Sequence, residues 1–154
     1  MDKLIRKISY VIAVGFGLGL IPKAPGTFGS LLGVALGVTL GFFPVELAVS
    51  TLLILTILSV FIIKEAEKEF KSHDPSAIVV DEIIGQAIPL IFIEATVINI
   101  ALSFLFFRLF DIIKKGPVGY VDKHVKGALG VMLDDVVAGF LALGVVWGLG
   151  QTLV

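Results

Sequence analysis

Long apolar runs constrain the fold more than any other feature of this sequence. Val45–Ile63 contains a single charged residue, Glu46, and approaches the roughly 20 residues that a helix needs to cross a bilayer. The whole chain is 57% hydrophobic with a mean hydropathy of +1.06, whereas roughly 45–50% of the residues in an ordinary globular domain are apolar. The sequence therefore predicts an all-α, polytopic integral membrane protein in which residues 1–154 form a single membrane-embedded domain.

Glycine, proline and charged residues divide the rest of the apolar sequence into shorter segments. Ile83–Ile93 and Ala95–Phe107 flank Glu94, and as helices they would be roughly 16 and 20 Å long, less than the ~30 Å hydrocarbon core. We expect a tilted or re-entrant hairpin; the alternative is one long helix with Glu94 buried in the membrane. The other predicted segments are the apolar stretch Ile8–Ile21, a loop at Pro22–Ser30, a short helix at Leu31–Phe43, a solvated helix within Lys64–Asp81 and a final spanning segment at Val136–Val154.

The positions of the basic residues predict the orientation in the membrane. Cytoplasmic loops are enriched in Lys and Arg, whereas the turns near Pro44 and Glu94 carry neither. We therefore expect the basic regions on the cytoplasmic face of the membrane, with the two bare turns outside or within the bilayer. All 12 Lys and Arg residues fall in the N-terminus, the Pro22–Ser30 loop, Lys64–Lys71 and Arg108–Lys126.

The composition excludes several kinds of chemistry. The chain has no cysteine, which rules out disulfides, thiolate nucleophiles and zinc–thiolate sites. The formal net charge is −1, so the bulk charge predicts no nucleic-acid partner.

Acidic residues lie at three junctions between polar and apolar sequence. Asp81-Glu82 and Asp134-Asp135 each follow an apolar run, in the similar segments IVVDEIIG and VMLDDVVAG. We expect both pairs at helix N-termini, where exposed N–H groups favour carboxylates, and helix capping alone would explain either pair. Two such pairs on one membrane face would repel each other without a cation, and oxygen ligands favour a hard ion such as Mg²⁺ or Mn²⁺. The predicted metal ligands are Asp81, Glu82, Asp134 and Asp135, and the predicted catalytic residues are Asp111, Asp81 and Asp135.

The Pro22–Ser30 loop is a candidate phosphate site. Gly26 and Gly29 would let backbone N–H groups face an anion, and Ser30 would open the next helix. A simple turn between helices explains the same glycines, and no Walker pattern indicates a nucleotide. The predicted phosphate-binding residues are Lys23, Thr27, Ser30, Arg108 and Lys114.

The stretch Phe107–Gly139 is the longest polar interruption of the apolar sequence. We interpret it as a loop at the membrane surface that carries half of the site, with Asp81-Glu82 as the other half. Within it, Asp122 is expected to be solvated, and Lys123 and Lys126 are expected to set the membrane orientation.

Four segments, PKAPGTFGS, IVVDEIIG, FRLFDIIK and GVMLDDVVAG, together resemble the phosphatidylglycerophosphatase A family of bacterial membrane lipid phosphatases. They occur in the expected order between about Gly17 and Gly139. One difference is that Lys115 and Gly116 follow Lys114 where the family reads Lys-Pro. The resemblance implies Mg²⁺-dependent hydrolysis of phosphatidylglycerophosphate to phosphatidylglycerol and inorganic phosphate, a step of phospholipid biosynthesis in the bacterial cytoplasmic (inner) membrane.

The hypothesis for the mechanism combines these residues. The acidic residues hold one or two Mg²⁺ ions, Asp111 completes the site or acts as general base, and water activated by the metal attacks the phosphorus of a phospholipid in the bilayer. An aspartyl-phosphate intermediate is the alternative. The rival functions are a small transporter or channel, with Glu94 on its pathway, a phosphatidyl-group transferase, and a non-catalytic membrane scaffold.

Overall fold

The computed structural model describes residues 2–70 and 75–150. Within these ranges the chain is helical and contains no β-strand, as the apolar runs predicted. The predicted break at Asp74-Pro75 falls partly, and His73 wholly, outside the described residues. The helices are α1 (Asp2–Ala13), α2 (Pro25–Leu40), α3 (Val45–Ala66), α4 (Val80–Leu90), α5 (Val97–Ile113), α6 (Pro117–His124) and α7 (Gly127–Gly148), with 3₁₀ turns at Gly15–Leu20 and Pro75–Ala77.

Two helices, α3 and α7, are long and apolar enough to cross a membrane. The first confirms a long apolar helix over the predicted segment Val45–Ile63, which makes it a candidate span. Its side chains Leu53, Ile57 and Phe61 are all exposed, as expected for a surface that faces lipid. The second begins at Gly127, well before the predicted Val136. The prediction placed the start of this helix after Asp134-Asp135. The pair instead lies inside the helix, where its side chains face the neighbouring helices.

The first two predicted segments are organised differently. The apolar stretch Ile8–Ile21 is not one helix, because the backbone leaves α1 after Ala13 and takes positive φ values at Gly15, Phe16 and Gly17. The predicted loop Pro22–Ser30 is shorter than expected, since α2 already begins at Pro25. Proline is favoured at the first position of a helix, where its missing N–H is not needed.

The hairpin prediction is confirmed, and the alternative of one long helix is wrong. α4 ends at Leu90, next to Pro89, and the side chain of Thr96 accepts a hydrogen bond from Asn99 N at 3.2 Å to begin α5. Glu94 lies exposed in the connection between the two helices. At 11 residues, α4 is about 16 Å long and too short to span the hydrocarbon core.

The short helix α4 forms the centre of the fold. It packs most extensively against α2 on one side and α7 on the other, and its residues Gly85–Leu90 are all buried. Glycines permit this close approach. A Cβ on Gly33 would lie 2.6 Å from Ile83 O, and a Cβ on Gly85 would lie 2.6 Å from Asp135 O. The three helices thereby hold the acidic start of α4 against the middle of α7.

The contact between α4 and α7 gives a test of this packing. A Cβ on Gly139 would meet Gly85 O and lie 3.0 Å from Ile88 Cδ1, so Gly139→Ala should lower the free energy of unfolding by about 1–3 kcal/mol through overpacking. The control is Gly144→Ala in the same helix, where a Cβ meets open space. Thermal unfolding of the purified protein in detergent measures both, and equal midpoints for the two variants would contradict the packing described here.

Candidate active site

Three carboxylates converge where α4 begins. Asp81 and Glu82 lie in the first turn of α4, and Asp135 comes from the third turn of α7. One carboxylate oxygen from each residue lies within 4.8 Å of those of the other two. The first turn of a helix favours negative charge, which accounts for Asp81 and Glu82 but not for Asp135. Two helices that are far apart in the sequence therefore build one acidic cluster.

The cluster is buried and only partly satisfied by hydrogen bonds. Asp81 and Asp135 are 9% and 2% exposed, and among the described residues Asp81 Oδ1, Glu82 Oε2 and Asp135 Oδ2 are buried without a hydrogen-bond partner. Burial, and next the nearby charges of Glu82 and Asp135, raise the pKa of Asp81 well above its usual range. Burial likewise raises the pKa of Glu82, although Arg108 opposes the effect. Buried carboxylate oxygens without partners fit a bound cation, which would reverse both shifts.

The donor atoms indicate what kind of cation fits. All three residues offer carboxylate oxygens, and such ligands suit hard ions such as Mg²⁺, Mn²⁺ or Ca²⁺ rather than a thiolate-bound metal. The cluster can therefore hold a metal ion.

Arg108 lies beside the acidic cluster on α5. Its Nη1 atom is 2.5 Å from Asp111 Oδ2, 3.4 Å from Ser30 Oγ and 4.0 Å from Glu82 Oε1. Gly26 makes room for this arrangement, because a Cβ there would meet Glu82 Oε1 and lie 3.1 Å from both terminal nitrogens of Arg108. The Nε atom of Arg108 is buried without a hydrogen-bond partner among the described residues. An unused cationic donor thus lies next to unused carboxylate oxygens.

Lys114 connects the acidic region to α6. Its ammonium donates to Asp134 Oδ2 at 2.6 Å and to Asp122 Oδ1 at 2.8 Å. Burial lowers the pKa of Lys114, but the hydrogen bonds to Asp122 and Asp134 outweigh burial and raise it. The bond from Lys114 lowers the pKa of Asp122. Asp122 is exposed, as expected for a solvated residue, but it also holds Lys114 in place, which the sequence did not predict.

A cavity of about 470 Å³ opens over the acidic residues. Its walls come from the start of α4, the end of α5, α6 and the first half of α7, so residues distant in the sequence surround one space. Apolar side chains such as Ile78 and Val131 contribute part of the wall. The charged residues that line it are Asp81, Glu82, Asp111, Lys114, Asp122, Lys126, Asp134 and Asp135.

The structure brings most of the predicted site residues together, but it corrects several details. Asp134-Asp135 is not at a helix N-terminus, since α7 begins at Gly127. Ser30 does not open a helix; it lies in the second turn of α2, where its hydroxyl donates to Gly26 O at 2.8 Å. The glycines there serve close packing against α4 rather than a turn around an anion. Of the predicted phosphate-binding residues, only Lys114 lines the cavity; Lys23, Thr27, Ser30 and Arg108 do not.

The predicted loop Phe107–Gly139 is mostly helical. Its helices also create a contact between Asp122 and Lys114 that was not predicted. α5 continues to Ile113, and Pro117 opens α6 as the first residue of a helix. Gly116-Pro117 is a recognisable signal for such a start, and it would have placed a helix here. No signal in the sequence pairs Asp122 with Lys114, because their contact depends on how α6 folds back.

The ion pair between Lys114 and Asp134 can be tested by substitution. Lys114→Met leaves the buried Asp134 without its cation and should lower the free energy of unfolding by about 1–2 kcal/mol, a modest loss because the Lys114 side chain is 39% exposed and water screens the pair. Asp134→Asn in the same background should recover part of the loss. Lys115→Met is the matched control, since Lys115 is exposed and makes no ion pair with the described residues. Equal losses for both single Lys variants would show that the pair contributes nothing.

Comparison with known proteins gives a consistent assignment. A family model for Phosphatidylglycerophosphatase A matches residues 11–150. The chain is 34% identical to the phosphatidylglycerophosphatase A of Escherichia coli K12, over 92% of this chain and 83% of the relative, and 38% identical to that of Haemophilus influenzae, over 94% and 93%. A Bacteroides thetaiotaomicron relative, named as a candidate phosphatidylinositol-3-phosphatase, is 38% identical over 84% and 85%. No solved structure matches significantly. Since the family model spans nearly the whole chain, including every residue of the acidic cluster, the protein belongs to the phosphatidylglycerophosphatase A family.

Proposed function

We propose that this protein is a membrane-bound lipid phosphatase that hydrolyses phosphatidylglycerophosphate to phosphatidylglycerol and inorganic phosphate. One observation carries the proposal beyond family membership. Buried carboxylate oxygens without partners lie beside Arg108, whose Nε is also buried without a partner among the described residues. A metal ion together with a phosphate group would satisfy both sets of atoms at once.

The proposed cofactor is Mg²⁺, held by Asp81, Glu82 and Asp135. When bound, the ion would neutralise phosphate oxygens and make the phosphorus more electrophilic. Asp134 was also predicted as a ligand, and its proposed role now includes holding Lys114, to which it is hydrogen-bonded.

The chain's own residues supply the rest of the chemistry. Arg108, whose guanidinium lies beside Glu82 and Asp111, donates to the phosphate oxygens, and Lys114 offsets their charge from the wall of the cavity. Asp111 acts as general base and accepts a proton from the attacking water. The water oxygen forms a bond to phosphorus while the bond from phosphorus to the lipid oxygen breaks. The lipid oxygen then takes up the proton that Asp111 accepted and leaves as the alcohol.

The start of α2 is proposed to contact the phosphate-bearing headgroup from the side of Arg108. Ser30 Oγ lies 3.4 Å from Arg108 Nη1. Thr27 lies one turn earlier in α2 and Lys23 precedes the helix, both outside the cavity. In this arrangement Ser30 supports the guanidinium, while Lys23 and Thr27 meet the outer part of the headgroup. This role differs from the phosphate cradle that the glycines suggested.

The substrate remains in the bilayer, so the site must lie at headgroup depth. We place it on the cytoplasmic face of the bacterial inner membrane, in a multi-pass chain of one domain. The acidic start of α4 and the basic residues around Lys114–Lys126 meet at one end of the fold, and clustered Lys and Arg favour the cytoplasmic side.

The proposed activity predicts the effect of removing a carboxylate. Asp81→Asn and Asp135→Asn should each lower phosphate release from phosphatidylglycerophosphate by about 100-fold or more with Mg²⁺ present, while membrane insertion stays intact. Chelation should abolish release by the unmodified protein. Mg²⁺ should raise the thermal midpoint of the unmodified protein and fail to do so for Asp81→Asn.

The control is Glu94→Gln, an exposed carboxylate in the α4–α5 connection, which should keep full activity. Near-normal turnover in both aspartate variants would refute the metal site. Solute flux through liposomes without phosphate release would instead favour the transporter reading, in which Glu94 matters. Phosphatidylinositol 3-phosphate belongs in the same assay, because the Bacteroides relative is named for that substrate.

The proposed orientation can be tested with single cysteines, since the chain has none of its own. Lys68→Cys and Lys123→Cys replace exposed residues at the charged end of α3 and in α6, and Phe42→Cys replaces an exposed residue between α2 and α3. In inside-out vesicles a membrane-impermeant maleimide should modify the first two and not the third. Opposite accessibility of Lys68→Cys and Lys123→Cys would overturn the model of a common cytoplasmic face.

A further inference from the structure

The segment between α1 and α2 is tied to the acidic cluster at both ends. Where it starts, Ala13 O accepts a hydrogen bond from Val79 N at 2.8 Å, two residues before Asp81. Where it ends, Gly26 lies against Glu82 and Arg108. In between, Gly19 packs so closely on Ala77 that a Cβ would meet its carbonyl oxygen. The segment is therefore a fixed neighbour of the site.

This segment presents apolar side chains to the surroundings. Phe16 is 78% exposed and Leu20 is 54% exposed; we call these two residues the apolar tip. Phe16 also has φ = 57°, a left-handed conformation that is rare for a bulky residue and costs free energy. Hydrogen bonds from Gly17 N and Gly19 N to Val14 O hold the backbone turn around Phe16, while its ring is left largely uncovered. The ring is therefore held in place where it can contact a surface outside the protein.

The surroundings of the apolar tip match a lipid bilayer near its headgroups. The helices that flank the segment also carry exposed apolar side chains, namely Val11 on α1 and Leu31 on α2. The exposed Lys23 lies between the tip and α2, where a cation can meet the phosphates of anionic lipids. An apolar surface bordered by a cation matches the boundary between acyl chains and headgroups.

We propose that the apolar tip inserts among the acyl chains beside the acidic cluster and helps bilayer-resident lipids to present their phosphates to the cavity. The proposal rests on the proposed lipid phosphatase activity and deepens it. Phe16 and Leu20 would act on substrate that is embedded in a bilayer, and they would not touch the reacting phosphate.

Phe16→Gly is a suitable test because the fold should tolerate it. Glycine adopts a positive φ without steric cost, so the variant removes the apolar side chain and relieves the backbone. The matched control is Phe42→Gly. Phe42 is 83% exposed in the turn between α2 and α3, at the end of α2 opposite Gly26 and thus away from the acidic cluster.

The assay compares two forms of one substrate with the full-length protein in Mg²⁺. One is long-chain phosphatidylglycerophosphate in vesicles, and the other is its short-chain, water-soluble analogue. Phe16→Gly should lower phosphate release from vesicles by roughly five- to tenfold, the scale of one interfacial phenylalanine contact, and leave release from the soluble analogue unchanged. Phe42→Gly should leave both unchanged.

Three outcomes would overturn the proposal: equal losses on both substrates, no loss on either, or the same loss for Phe42→Gly.

A separate measurement tests the membrane contact independently of the phosphatase activity. Phe16→Trp in a Trp147→Phe background should give fluorescence that is quenched by lipids brominated close to the headgroup, and absence of quenching would also overturn the tip's role. If the unmodified protein releases no phosphate from either substrate while quenching is seen, the proposed activity fails and the membrane contact stands.

Discussion

The structure depends on keeping several carboxylates together inside an apolar protein. Asp81, Glu82 and Asp135 lie within a few ångströms of one another, where burial and mutual repulsion both oppose ionisation. Such an arrangement is stable only if protons or cations compensate the charge. Arg108 supplies part of that compensation from α5, since its guanidinium lies near Glu82, and Lys114 balances the neighbouring Asp134. The carboxylate oxygens left without partners are where a metal ion fits. The requirement for charge balance thus links the fold to the proposed chemistry.

The position of α4 makes this arrangement attainable. α4 is too short to cross the bilayer. Its polar N-terminus therefore lies at the same level as the charged residues of α5 and α7. Glycines on α2, α4 and α7 bring the three backbones close together, because in a membrane tight packing rather than the hydrophobic effect holds helices together. A larger residue at Gly26 or Gly85 would separate the helices that hold opposite sides of the site.

The parts of the site differ in burial and charge. The acidic cluster and Arg108 are largely buried and suit the reacting phosphate. Lys114, Asp122 and Lys126 form a more exposed wall, and the apolar tip faces outward at the edge. A phospholipid has the same sequence of environments, from charged phosphate through polar headgroup to acyl chain. This correspondence favours catalysis at the surface of a bilayer over binding of a small soluble substrate.

The sequence by itself determined the helical class, the long apolar helix predicted at Val45–Ile63, the hairpin around Glu94 and the identity of the acidic and basic residues that gather at the site. These follow from local properties: apolar length, helix-breaking prolines, and the cost of placing charge next to lipid. Only the tertiary structure decided that Asp135 joins Asp81 and Glu82 from the middle of a helix, that Asp134 pairs with Lys114, and that Asp122 holds the same lysine. Those contacts depend on which faces of α4, α5, α6 and α7 meet. That choice is made by glycine-mediated packing between segments far apart in the chain, and no local pattern records it.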